Sequence, residues 1–173
     1  RGISEHRHVE SQRDEALTRF ESIANNIPDC FWVSTFTNDG EDSVDYVSPA
    51  FRQIWGYEPD DIYRNPALWT EPVVQEDGPA VAAAFEEVKR TGKPCVTTYR
   101  IRSKDGSLKW IEDQMGPRFD SDGQLIGLEG VSRDITARKL ADQALSESEE
   151  KYRLLVESSP YCIYQIDLNG RLI

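Results

Sequence analysis

Residues 99–111 have the sequence Tyr99-Arg100-Ile101-Arg102-Ser103-Lys104-Asp105-Gly106-Ser107-Leu108-Lys109-Trp110-Ile111. A polar, glycine-containing loop in the middle of this stretch separates two runs that are rich in strand-forming residues. The pattern predicts a hairpin whose strands run from Cys95 to Arg102 and from Leu108 to Phe119. A second tight turn, Asp120-Ser121-Asp122-Gly123, leads to a third strand from Leu125 through Val131. We therefore expect a three-stranded antiparallel meander.

The residues before this meander predict two further strands and the helices that cover them. Strands from Phe31 to Phe36 and from Ser43 to Val47 flank a polar turn. A helix from Ala50 to Trp55 ends at Gly56, and a longer helix from Glu76 to Arg90 follows. This order predicts an α+β fold, in which a five-stranded antiparallel sheet carries helices on one face. The side chains expected in its core are Trp32, Ile54, Trp69, Phe85, Ile111 and Val131.

The chain also repeats itself at a constant offset. Pro28 returns as Pro160 and Cys30 returns as Cys162, an offset of 132 residues in both cases. A repeat this long corresponds to a domain with its linker, since solenoid units recur every 20–50 residues or so. We therefore expect an N-terminal amphipathic helix over residues 1–27, a domain over 28–133, a linker helix over 134–159 and the truncated start of a second domain over 160–173.

Composition excludes several classes of function. The chain has 31 acidic against 20 basic residues and a net charge of -11, so a nucleic-acid-binding or anionic-membrane surface is not expected. No apolar run approaches the ~20 residues needed to span a bilayer, and we expect no membrane contact by this segment. Three widely spaced cysteines without a C-x-x-C motif indicate buried thiols in a reducing, cytoplasmic compartment.

The histidine content excludes further kinds of site. His6 and His8 are the only two histidines, and both lie in a polar N-terminal stretch typical of a solvated helix face. The domain body therefore lacks the imidazole needed for a histidine-ligated haem, an ordinary zinc site or a Ser-His or Cys-His nucleophile pair. We expect no metal site and no enzymatic activity in this segment.

Three motifs carry a resemblance to a known family. The hairpin of residues 99–111 resembles the signature hairpin of PAS sensory domains. The stretch Gly127-Leu128-Glu129-Gly130-Val131-Ser132-Arg133-Asp134-Ile135-Thr136 resembles the family's terminal strand and its exit into a linker helix. Phe51-Arg52-Gln53-Ile54-Trp55-Gly56-Tyr57 matches the helix after the second strand. The resemblance covers residues 20–136 and starts again over 152–173, and it implies the strand order 2-1-5-4-3.

This resemblance implies a sensory and signal-relay module of a bacterial or archaeal signalling protein. Such a module detects a small ligand or a conformational input and passes it through helices to a second PAS domain and an output domain, such as a histidine kinase or a diguanylate cyclase. Signal exit is then expected at Asp134, Ile135 and Thr136. The alternatives are a ligand-free PAS dimerisation or scaffold module and a non-covalent flavin redox sensor.

The cofactor question stays open at the level of sequence. The Asn-Cys-Arg-Phe motif of light-sensing relatives is absent and no cysteine lies on a middle helix, which disfavours cysteinyl flavin. Non-covalent flavin, another small metabolite and an empty, well-packed core remain, and we favour the empty core.

Strand alternation along residues 109–115 selects candidate ligand contacts. Ile111, Asp113 and Met115 share one face, which the family hairpin turns toward the helices. Asp113 would then be either an anchor for a cationic or hydroxylated ligand or a partner of Arg100 or Arg102 in an ion pair. The complete set of candidate ligand-binding residues is Ile54, Trp69, Ile111, Asp113, Met115 and Ser132.

The terminal helices indicate a homodimer. Val9, Ala16, Phe20, Ile23 and Ile27 are spaced 7, 4, 3 and 4 residues apart, which is close to a heptad seam. The linker helix, for which Asp134 is the expected N-cap, likewise carries apolar residues on one face. We expect both helices to pack near the two-fold axis of a parallel homodimer.

Overall fold

The computed structural model describes residues 15, 18–19, 22–37, 42–158, 167–169 and 171. The chain divides into two compact units, Arg1–Ile135 and Thr136–Ile173. Within the described part of the chain, every helix is too short or too polar to cross a membrane.

The first unit is built on a five-stranded antiparallel sheet. Its strands are β1 (Cys30–Phe36), β2 (Asp42–Val47), β3 (Cys95–Arg102), β4 (Leu108–Phe119) and β5 (Leu125–Asp134). Their spatial order is β2-β1-β5-β4-β3, which confirms the expected topology. Because β1 pairs with both β2 and β5, the first and last strands of the domain lie side by side.

The helices that follow β2 are α1 (Ala50–Trp55), α2 (Pro59–Arg64), a 3₁₀ helix (Pro66–Trp69) and α3 (Gly78–Thr91). Gly56 ends α1 with φ 83° and Gly92 ends α3 with φ 63°, so both helices stop at a left-handed glycine as predicted. Pro59 opens α2, where Glu58 and Asp61 form a reciprocal capping box.

The long helix begins two residues later than the sequence predicted, at Gly78 instead of Glu76. The preceding segment is held against β3, an edge strand. The backbone N–H of Val74 donates to the carbonyl of Arg100 at 2.9 Å, and Val73 bridges to Ile101. Since this pairing covers the free edge of the sheet, the chain turns into a helix only after it has left β3.

The core lies between the sheet and these helices. Trp32, Ile54, Trp69 and Ile111 are buried as expected, whereas Phe85 and Val131 are only half-buried. The predicted burial of Val131 is wrong, because this residue alternates with Ser132, which is fully buried. On β4 the alternation is confirmed, since Ile111, Asp113 and Met115 are buried and the residues between them are not.

The exit from the sheet differs from the sequence prediction. Asp134 is the last residue of β5, paired with Ile111, and the backbone N–H of Ile135 still donates to the carbonyl of Trp110 at 2.8 Å. The linker helix α4 therefore begins at Thr136 and runs to Ser158. The prediction that Asp134 caps this helix is wrong, because sheet pairing continues through it.

Much of the predicted terminal structure lies outside the described residues. Three residues of the proposed N-terminal seam, Val9, Ala16 and Phe20, are not among the described residues, and neither are most positions of the second domain. Residues 22–26 are helical, and Ile23 in this helix is exposed. Ile27, which follows the helix, is half-buried. The dimer seam and the domain boundaries therefore stay predictions.

Candidate functional site

A cavity of ≈ 360 Å³ lies in the first unit between the sheet and the helices. The residues that line it are Trp32, Val33, Ser34, Val44, Pro66, Trp69, Thr70, Val73, Gly78, Val81, Ala82, Phe85 and Glu86. Its volume falls in the range of small-molecule sites, and its mostly apolar lining with a few polar groups is typical of them.

Simple periodicities place the two main walls of this cavity. In β1 the residues Cys30, Trp32 and Ser34 alternate onto the buried face. In α3, Val81 and Phe85 are four residues apart and share the helix face that meets the sheet. A strand face and a helix face thus enclose the cavity.

Aromatic rings make up much of the wall. Trp32 and Trp69 meet edge to face with ring centroids 5.5 Å apart and an interplanar angle of 61°. Phe85 lies 6.1 Å from Trp32 at 28°. Behind them Trp69 stacks on Trp55 at 4.7 Å and on Phe51 at 5.8 Å, and both of these are fully buried. Such stacking stabilises the wall and restricts ring rotation.

Asp113 lies behind Trp32, fully buried in the core. Its Oδ1 accepts hydrogen bonds from Trp32 Nε1 at 3.1 Å and from Ser132 Oγ at 2.9 Å, and its Oδ2 accepts one from the Tyr99 hydroxyl at 3.1 Å. Burial raises the pKa of the Asp113 carboxyl to about 6, although these three hydrogen bonds lower it. One carboxylate thereby joins side chains from β1, β3 and β5 to β4.

The prediction that Asp113 forms an ion pair with Arg100 or Arg102 is wrong. Arg100 binds Asp77 with two side-chain hydrogen bonds of 2.8 and 2.9 Å, and the contact holds the pKa of the Asp77 carboxyl below its usual range. Arg102 donates to the carbonyl of Gly106. Both arginines alternate with Tyr99 and Ile101, which are the β3 residues that face the core.

The structure divides the predicted ligand-binding residues into two groups. Asp113, Ser132, Ile111, Met115 and Ile54 are all buried in the packed core, where Asp113 and Ser132 are in direct contact. Trp69 alone of the six lines the cavity. The described part of the chain holds no group of three or more His, Cys, Asp or Glu side chains arranged for a metal ion.

Sequence reasoning missed several residues that line the cavity, notably Trp32, Ser34 and Phe85. A signal was present for two of them, since Trp32 and Phe85 were expected in the core. The hairpin motif predicted ligand contacts on β4, whereas the cavity lies against β1 and β2.

Ionic contacts join the start and the end of the domain near the predicted exit. Arg133 binds Asp29 through hydrogen bonds of 2.6 to 3.0 Å, which raise the pKa of the Arg133 guanidinium. Lys109 Nζ lies 3.7 Å from a carboxylate oxygen of Asp134. Ile135, the next residue, is buried. The end of β5 is therefore held to Asp29, the residue just before β1, and to Lys109 of β4.

Comparison with known proteins gives this architecture a context. Residues 44–132 match the family described as PAS fold. The chain is 30% identical over 171 residues to the two-component sensor PprA of Pseudomonas aeruginosa. This alignment covers 96% of this chain and 18% of PprA. It is 29% identical over 147 residues to the blue-light-activated histidine kinase of Brucella anthropi, covering 84% of this chain and 28% of the kinase.

A solved structure shows the same arrangement of strands and helices. The sensory box histidine kinase/response regulator of Burkholderia thailandensis superposes with a TM-score of 0.58 at 25% identity, over 78% of this chain and 98% of that chain. The chain spans less than a third of the length of either curated relative.

Proposed function

The chain belongs to the PAS family, and on that premise we propose that it is a sensory relay module that holds a small ligand in the cavity between β1 and α3. The observation that carries this proposal is the cavity itself, which has a volume of ≈ 360 Å³ and an aromatic wall beside the buried core. A ligand-free dimerisation or scaffold module, the main alternative, has no use for such a volume.

A flavin does not fit the residues that line this cavity. The polar edge of a flavin ring and its phosphate need several hydrogen-bond donors. Of the four lining side chains that carry a donor, Trp32, Ser34 and Thr70 already donate within the protein, which leaves Trp69. Neither described cysteine, Cys30 or Cys95, lines the cavity, so no thiol is placed for a covalent adduct. We therefore propose a different small molecule, and no step of the relay depends on flavin chemistry.

The hydrogen bonds of Asp113 support a route from the cavity to the exit. Trp32 lines the cavity and donates to Asp113, which also accepts from Ser132. Ser132 lies two residues before Asp134, after which Ile135 and Thr136 lead into α4. A ligand that displaces the Trp32 ring changes this contact, and β5 carries the change along the chain to the helix.

The remaining parts of the proposal concern the parent protein. We propose that this segment senses and that catalysis belongs to an output domain elsewhere in a longer chain, either a histidine kinase or a diguanylate cyclase. The names of the two relatives, a two-component sensor and a histidine kinase, support this. The free thiols of Cys30 and Cys95 agree with a cytoplasmic location.

Filling the cavity should prevent ligand binding. Ala82 is an exposed residue of α3 that lines the cavity, so Ala82→Trp places an indole at its mouth with little disturbance of the core. Native mass spectrometry after incubation with a small-molecule cell extract should show a bound ligand on the wild-type chain and none on Ala82→Trp.

The matched control is Ala83→Trp, which adds the same ring to the next residue of the helix, where it does not line the cavity. Ala83→Trp should keep the ligand. A ligand retained by Ala82→Trp, or a wild-type chain that binds nothing, would favour the scaffold alternative.

We also propose that the parent protein is a parallel homodimer. In α4, Leu145, Tyr152 and Leu155 are each 60% exposed or more, and their spacings of seven and three residues form a heptad seam. Replacing Leu145 and Tyr152 with glutamate should raise the dimer dissociation constant more than about 100-fold, because each charge would be buried at the seam. Analytical ultracentrifugation measures this change.

Glutamates at Gln143 and Ser146 add two negative charges at the outer positions of the same heptads and should leave the dimer intact. Circular dichroism should show a folded sheet in both variants. A wild-type chain that sediments as a monomer at high concentration would contradict the proposed dimer.

A further inference from the structure

We propose that the cavity recognises a small organic cation, and that it does so through a quaternary ammonium group held against the rings of Trp32, Trp69 and Phe85. The inference rests on the ligand-binding role proposed above and names the chemical class of the ligand. Three features carry it: the aromatic wall, the charges around the cavity and the small number of hydrogen-bond acceptors in its lining.

The lining itself favours a positive ligand. Three of its residues are aromatic, and aromatic faces attract cations through the negative charge of their π systems. None of the lining residues is Lys, Arg or His. Glu86 is the one charged residue among them, and its carboxylate lies 3.3 Å from Lys89, so it contributes less than a free carboxylate.

The stronger charge lies behind the wall. Asp113 is fully buried, and its three hydrogen-bond donors are the neutral groups of Trp32, Tyr99 and Ser132. No basic side chain in the described residues forms a salt bridge with it. In a low-dielectric core the field of such a carboxylate extends through the Trp32 ring toward the cavity. The hydrogen bond from Trp32 Nε1 also raises the electron density of the indole, which strengthens its attraction for a cation.

The lining favours a quaternary over a primary ammonium, because ten of its thirteen residues carry no side-chain hydrogen-bond acceptor. The three that carry one are Ser34 and Thr70, whose hydroxyls donate to the carbonyls of Leu128 at 3.3 Å and Ala67 at 3.5 Å, and Glu86, which pairs with Lys89. A primary ammonium has three donors that each need an acceptor once they lose water. A quaternary ammonium has no N–H group and needs only apolar and aromatic contact. The lining supplies that contact.

The test compares choline with 3,3-dimethylbutan-1-ol, which has the same shape with carbon in place of the charged nitrogen. Isothermal titration calorimetry on the chain should give an affinity for choline about tenfold or more above that for the alcohol. Equal affinities would overturn the inference and leave the proposed ligand site intact. Binding of neither compound would also overturn the inference. The proposed function fails separately if native mass spectrometry shows the same result for Ala82→Trp as for the wild type after incubation with the cell extract.

Two variants test where the preference originates. Asp113→Asn keeps an acceptor for Trp32 and removes the charge, so the affinity for choline should fall about fivefold while that for the alcohol stays within twofold. Phe85→Leu keeps an apolar side chain at a half-buried position and removes one ring, with an expected loss of about threefold to tenfold for choline. Equal losses for both compounds in both variants would contradict recognition of the charge.

Discussion

Replacing Gly127 with alanine should unfold the first unit or lower its free energy of unfolding by more than about 3 kcal/mol. Gly127 lies opposite Thr35 where β5 pairs with β1, and a Cβ atom there would overlap the carbonyl oxygen of Ser34. That oxygen belongs to the backbone of a central strand, so no side-chain rotation can relieve the overlap. Urea unfolding followed by tryptophan fluorescence measures the loss.

The matched control is Gly116→Ala, in the neighbouring strand β4. A Cβ atom at Gly116 would lie 3.9 Å from Pro94, which is an ordinary van der Waals distance. The free energy of unfolding of this variant should stay within about 0.5 kcal/mol of the wild type. Comparable stability of Gly127→Ala and Gly116→Ala would show that β1 and β5 do not approach as closely as the structure has them.

Asp113→Asn should remove a pH dependence from the stability of the domain. The pKa of Asp113 is raised to about 6 in the folded chain by burial, and an aspartate in an unfolded chain has a pKa of about 4. The folded state therefore binds the proton more tightly than the unfolded state. The stability that protonation of Asp113 contributes is fully present below pH ~4 and is lost as the pH rises through about 6.

The size of this effect follows from the shift. Two pKa units correspond to about 3 kcal/mol. Because the unfolded-state carboxyl is already half ionised at pH 4, the free energy of unfolding of Asp113→Asn, relative to the wild type, should rise by about 2 kcal/mol between pH 4 and pH 7. Urea titrations of both proteins across this range measure the difference. A difference that stays constant with pH would show that Asp113 titrates near its ordinary value.

Asp105→Asn provides a control with the opposite sign. Hydrogen bonds from Ser107 lower the pKa of the exposed Asp105 carboxyl. Its contribution to stability is therefore present above the unfolded pKa and is lost as the pH falls. Relative to the wild type, this variant should lose stability as the pH rises, whereas Asp113→Asn gains it.

Local patterns predicted the elements of the fold well. The hairpin loop around Gly106, the helix stops at Gly56 and Gly92 and the alternation along β4 all depend on residues close together in the chain. Errors of element boundaries occurred where a distant strand intervened. The start of α3 moved because Val74 pairs with Arg100, and the start of α4 moved because Ile135 still pairs with Trp110.

The environment of Asp113 was predicted only in part. Its burial followed from strand alternation, but the arginines expected as its partners lie on the other face of β3. Alternation on β3 already contained this information, because Tyr99 pairs with Ile111 in the hairpin and shares its buried face. Trp32, 81 residues away in the chain, has no local signal that links it to Asp113.

The sequence was sufficient for the family, the order of the strands and the buried face of β4, since short-range periodicity and turn chemistry encode each of them. The position of the cavity required the tertiary structure. Whether space stays empty depends on how the volumes of side chains from β1, β2, the 3₁₀ helix and α3 add up where they meet. Those residues are spread from Trp32 to Glu86. A pattern within one segment therefore does not predict whether their side chains fill the space between them.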